Sequence, residues 1–160
     1  MMCRARQKGA IALELGLVLM PLVIIFFGMV ELGRGFYQYD TLVKSARSAA
    51  RYLSTQSKDV GIPQAKCMVV SGTLDITACS PPLVPGLNTA MVTVRYIDNV
   101  TTCPGGGGAA TGCGAIQLVE VCVNCADSTE KFQFTSMTKL FVPASITFGE
   151  IRAVMRREGA

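Results

Sequence analysis

The sequence predicts an α+β protein: a long N-terminal helix that crosses a membrane and runs on into a small exported antiparallel β domain. Three observations carry this. Residues 10 to 30 form an apolar run with a single charge, Glu14. Apolar residues then recur at alternating spacings of four and three as far as Leu53. Beyond Ser54 the chain turns polar and turn-rich, with short alternating segments and clustered cysteines.

Residues 10 to 30 cover about 31 Å as a helix, the thickness of a bilayer's hydrocarbon core. Leu15 to Val30 carries no charge. Arg4, Arg6 and Lys8 precede the run, with no acidic residue among the first nine. The positive-inside rule therefore keeps residues 1–9 in the cytoplasm and exports the rest. A cleaved signal peptide shares the basic start. Its apolar core is shorter, however, and no small-x-small site follows Val30. Pro21 lies inside the span, removes one backbone hydrogen bond and predicts a helix kink there.

Leu32, Phe36, Tyr39, Val43, Ala46, Ala50 and Leu53 form a heptad-like seam on one face of the continuing helix. The whole rod, residues 10 to 53, is predicted to be about 65 Å long, its second half lying against a domain or a neighbour. Four units follow: a leader at 1–9, a transmembrane segment at 10–30, an exported helical continuation at 31–53, and an exported α+β domain at 54–160.

Within that domain, residues 62 to 70 predict a short helix with Ile62, Ala65 and Val69 on one face. Ser80-Pro81-Pro82 and Pro85-Gly86 mark a loop. Residues 90 to 97 and 115 to 122 alternate, are rich in β-branched residues and predict a hairpin pair. Residues 131 to 142 fit either helix or strand. Residues 146 to 155 predict a last strand. Gly105 to Gly108 lack the Lys-Ser/Thr of a phosphate-binding loop, which argues against a nucleotide site.

Composition excludes several activities. The chain has no His and no Trp, so Ser-His-Asp and Cys-His catalysis and His-containing metal sites are absent. The net charge of +4 sits mainly at the two ends, without the central basic patch of a nucleic-acid binder. No catalytic constellation, metal site or cofactor site is expected.

Seven cysteines are present. Cys3 lies in the leader. Cys67, Cys79, Cys103, Cys113, Cys122 and Cys125 fall in the exported part, an even number suited to structural disulfides in an oxidising compartment. Cys103 with Cys113 would close the Gly-rich loop. The Cys122-x-x-Cys125 spacing also occurs in redox sites, but those open a helix, and this one ends a predicted strand. An all-Cys zinc site lacks a second close pair.

Glu14 needs an explanation, because a carboxylate in a span is costly. Near the helix start it complements the macrodipole and snorkels to headgroup water. Alternatively, a cut after Gly9 would free the α-amine of Ala10, and that amine would pair with Glu14 of a neighbouring rod and set subunit register.

The combination of Gly9, Ala10, Glu14, Pro21, Gly28, Glu31-Leu32-Gly33-Arg34, Tyr37, Leu42 and Ala46-Arg47-x-x-Ala50-Arg51-Tyr52 resembles the TadE-like minor pseudopilins of the tight-adherence (Flp, type IVc) pilus system. The resemblance spans residues 8 to 53. It implies a pilin-like layout, cleavage between Gly9 and Ala10 by a prepilin peptidase, and a single-pass inner-membrane protein. The exported domain would then be periplasmic. It also implies a part in pilus assembly, adhesion and biofilm formation. The implied partners are other pilins and pseudopilins, an export ATPase and inner-membrane platform proteins. Leu15 departs from the family, which usually has an aromatic residue after the Glu. A different reading of the same anchor is an unrelated single-pass protein carrying a periplasmic binding, sensory or redox module. Leader cleavage separates the two.

Overall fold

The computed structural model describes residues 5–100, 116–137 and 145–157. Helix α1 runs unbroken from Ala5 to Ser54, passing through Pro21. It is about 75 Å long at the standard rise. It starts inside the basic N-terminal segment, where Ala, Arg, Gln and Lys all favour helix. Helix α2 (Ile62–Ser71) is bounded by two left-handed glycines, Gly61 and Gly72. Gly72 returns its N–H to Met68 O at 3.0 Å and closes the last turn.

Strands β1 (Val92–Val100) and β2 (Ile116–Val123) pair antiparallel, as the alternation predicts. β1 starts two residues later than expected because Asn88 caps a 3-10 turn over Thr89–Met91. The segment expected as one final strand is two, β4 (Ser145–Thr147) and β5 (Ile151–Arg156). β5 joins the main sheet, ordered β1-β2-β5. β4 pairs instead with β3 (Gln133–Thr135) in a separate two-stranded ribbon. Of the ambiguous segment at 131 to 142, residues 133–135 are therefore strand, and residues 138–142 lie outside the described residues.

The core forms where α1 meets the sheet. Val119, Val121 and Val123 of β2, with Ile151 and Ala153 of β5, face Leu42, Ala46, Ala49, Ala50 and Leu53, and α2 covers the side with Ala65, Val69 and Val70. The three alanines let the sheet approach the helix closely. Fully burying each Val or Leu contributes about 1.5–3 kcal/mol.

The predicted seam is correct at its upper end and displaced at its lower end. Ala46, Ala50 and Leu53 are buried, but Leu32, Phe36 and Tyr39 are exposed. The face that meets the domain descends through Leu42, Gln38, Gly35 and Glu31. Those positions follow a 3.6-residue period counted back from Leu53. A 3.5-residue seam drifts about 20° per heptad around a straight helix, which over three heptads moves the contact by one position.

Candidate functional site

The lower half of α1 is bare. Gly9, Ala10, Glu14 and Pro21 all lie on this helix, and every side chain from residue 9 to 26 is solvent-facing in the isolated chain. A Cβ placed on Gly9, Gly16 or Gly28 meets nothing within 4 Å. Ala10 and Glu14 stand four residues apart, hence on one face, a turn from each other. Among the described residues this is the one helix long and apolar enough to cross a membrane, and none of its apolar window is covered by the domain.

Where the uncharged run ends, the helix is clasped. Glu31 is buried, and its Oε1 accepts the backbone N–H of Met137 at 2.6 Å and the Ser136 hydroxyl at 3.2 Å. One turn on, Arg34 donates from Nη2 to the carbonyl of Thr135 at 3.0 Å. Its guanidinium also lies over the Phe134 ring, 5.3 Å from the centroid. Next to Arg34, Gly35 faces the same ring, which stands 3.9 Å from where a Cβ would be, an ordinary contact distance. The Glu-Leu-Gly-Arg exit is therefore a receptor for residues 134 to 137. Strand β3 and the residues after it descend alongside the helix to the level of Glu31.

Residues 9–51 match the TadE-like protein family.

The TadE-like match associates the chain with the tight-adherence pilus system and, through it, with pilus components and a membrane. It begins at Gly9 and ends at Arg51, so the bare helix and both clasp residues belong to it. The sheet lies outside it. No curated protein and no solved structure matches the chain.

Among the described residues, two disulfides hold the domain that follows the helix. Cys67 of α2 is bonded to Cys79 (Cα–Cα 5.2 Å), and Cys122 to Cys125 (Cα–Cα 5.9 Å). Cys103 and Cys113 lie outside the described residues. Cys122 and Cys125 are each 1% exposed, at the end of a strand. Among the described residues no cluster of three or more metal-ligating side chains is present.

A residue that sequence reasoning missed organises the bridge. Asn124, inside the Cys-x-x-Cys loop, is buried with φ 62°. Its Nδ2 donates to the carbonyls of Phe132 and Phe148, both at 3.1 Å, and its Oδ1 accepts the Phe132 N–H at 2.6 Å. It thus ties the end of β2 to the segments flanking the β3–β4 ribbon. The available signal was Asn at a strand end, the non-Gly residue best suited to left-handed backbone. On the outer sheet face, buried Glu120 accepts from Arg152 at 3.2 Å, and Arg152 also grips Glu150 at 2.6 Å. The hydrogen bond from Arg152, with its charge, holds the Glu150 carboxyl below the ordinary range.

Proposed function

We propose that this protein is a minor pseudopilin that helps assemble or prime the tight-adherence pilus. A prepilin peptidase cuts between Gly9 and Ala10. The mature chain sits in the bacterial inner membrane by one pass, N-terminus in the cytoplasm and domain in the periplasm. There it acts with the major pilin, a sister pseudopilin, the export ATPase and platform proteins. The observation that carries the reading is the TadE-like match, which opens at Gly9 and covers a helix whose first half meets nothing in its own chain. An apolar rod left bare by its own domain is suited to lipid first and to neighbouring rods later.

The decisive measurement is the N-terminal residue and intact mass of the protein purified from host membranes. The expected chain begins at Ala10. A chain still beginning at Met1 or Met2 in cells with active prepilin peptidase overturns the processing step. A bulky residue at position 9 is expected to block cleavage. Glu14→Ala is expected to impair piliation more than membrane insertion, and normal piliation would remove the Ala10–Glu14 pairing.

A further inference from the structure

Directly above the apolar run, the helix and the β3–β4 ribbon enclose a groove of 470 Å³. Gly28, Leu32 and Phe36 line it on one side, and Phe134, Ile146 and Phe148 on the other. Its base, Gly28, lies within the uncharged run that ends at Val30. Its rim residues are open: Leu32 is 61% exposed and Phe36 65%. Among the described residues, the nearest charged groups are turned inward. The Glu31 carboxylate is buried against Ser136 and Met137, and Arg34 lies over Phe134. What remains outside is an apolar collar around the helix exit.

The clasp sets the height of this collar. Met137 is bonded through its N–H to Glu31, one residue past the end of the run, and its side chain is 80% exposed. Residues 10 to 30 occupy about 31 Å, the hydrocarbon thickness, so Glu31 and Met137 stand at its edge. Phe36 follows about 7.5 Å higher, level with the headgroup layer. The groove is thus continuous at its base with the hydrocarbon around the span.

We propose that this collar is a lipid-docking surface: an acyl chain of a phospholipid from the adjoining leaflet lies in the groove, and the sheet domain rests on the bilayer through Leu32, Phe36, Met137 and Ile146. The inference depends on the membrane-spanning part of the proposed function. Lipid is favoured over a second copy because the groove's base opens into the bilayer, where acyl chains surround the helix at all times. An apolar surface of this kind exposed to water is otherwise unfavourable.

The chain has no Trp, so single-Trp variants report one position each. Full-length chains carrying Met137→Trp, Phe36→Trp, Leu32→Trp, Met20→Trp or Val60→Trp are reconstituted in liposomes of plain or acyl-dibrominated phosphatidylcholine. Met20 marks the middle of the span. Val60 marks the far end of the domain, beside Gly61, which abuts Tyr52. The expected result is at least two-fold quenching by the brominated lipid at positions 137, 36, 32 and 20, and none at 60. Quenching at 20 without quenching at 32, 36 and 137 overturns the docking surface and leaves the span intact. No quenching at 20 overturns both. Unquenched, blue-shifted emission at 32 and 36 that grows with the protein-to-lipid ratio places a second copy in the groove, and likewise overturns the lipid assignment.

Discussion

Glu31 Oε1 accepts the backbone N–H of Met137 at 2.6 Å, joining the end of the helix's apolar run to a residue 106 positions later. The carboxylate is buried, so the bond is charge-assisted and shielded from water. Glu31→Ala is expected to release residues 134 to 137 from the helix while leaving the main sheet folded. Amide hydrogen exchange at Met137 should rise about ten- to hundred-fold, the equivalent of losing a hydrogen bond to a charged group. Glu31→Gln, which keeps an acceptor oxygen, should fall between. Unchanged exchange in the alanine variant would show that the clasp is held by Arg34 and Phe134 alone.

Asn124 is asked for two things that no other residue supplies together, a left-handed backbone and three side-chain hydrogen bonds. Asn124→Ala loses the bonds and strains the backbone, an expected loss of about 3–5 kcal/mol. Asn124→Gly loses the bonds but keeps φ without strain, so it should be about 1 kcal/mol less damaging than Ala. Urea denaturation of the full chain in detergent micelles measures both. Equal losses would mean that the backbone conformation contributes nothing.

The two disulfides should differ in worth. Cys67–Cys79 spans a separation of 12 residues and Cys122–Cys125 only 3. On the chain-entropy account, closing the longer loop contributes about 3 kcal/mol and the shorter about 2. Thermal melts of the Cys67→Ala/Cys79→Ala and Cys122→Ala/Cys125→Ala double variants should rank in that order. Reductant should lower the melting temperature of the parent chain more than that of either double variant.

Glu150 supplies the pH dependence. Its folded pKa lies below the ordinary value because of the hydrogen bond from Arg152. A depressed carboxylate pKa stabilises the fold above the unfolded value, and that contribution is lost as pH falls through the lowered folded value. The melting-temperature gap between the parent and Glu150→Gln should therefore be constant from neutral pH to about 5 and close below about 4. The pair is solvent-exposed, so 1 M salt should narrow the gap at neutral pH.

Local patterns in the sequence determined much of this protein. Twenty-one residues, apolar but for one charge, are long enough to span a bilayer whatever follows them. The alternation in 90–97 and 115–122 carried the hairpin, because strand side chains alternate strictly between faces. The Glu-Leu-Gly-Arg exit marked the place where the helix leaves the apolar run. Tertiary structure decided what those residues touch. The phase of the helix face depended on whether α1 supercoils, and a one-position difference at residues 31 to 39 lies within the drift between periods of 3.5 and 3.6. The split of 146–155 between two sheets followed from the clasp, which draws β3 and β4 down along the helix. The pairing of Cys67 with Cys79 rests on α2 turning back at Gly72. Each of these is a contact between residues distant in the chain, and periodicity carries no information about distance across a fold.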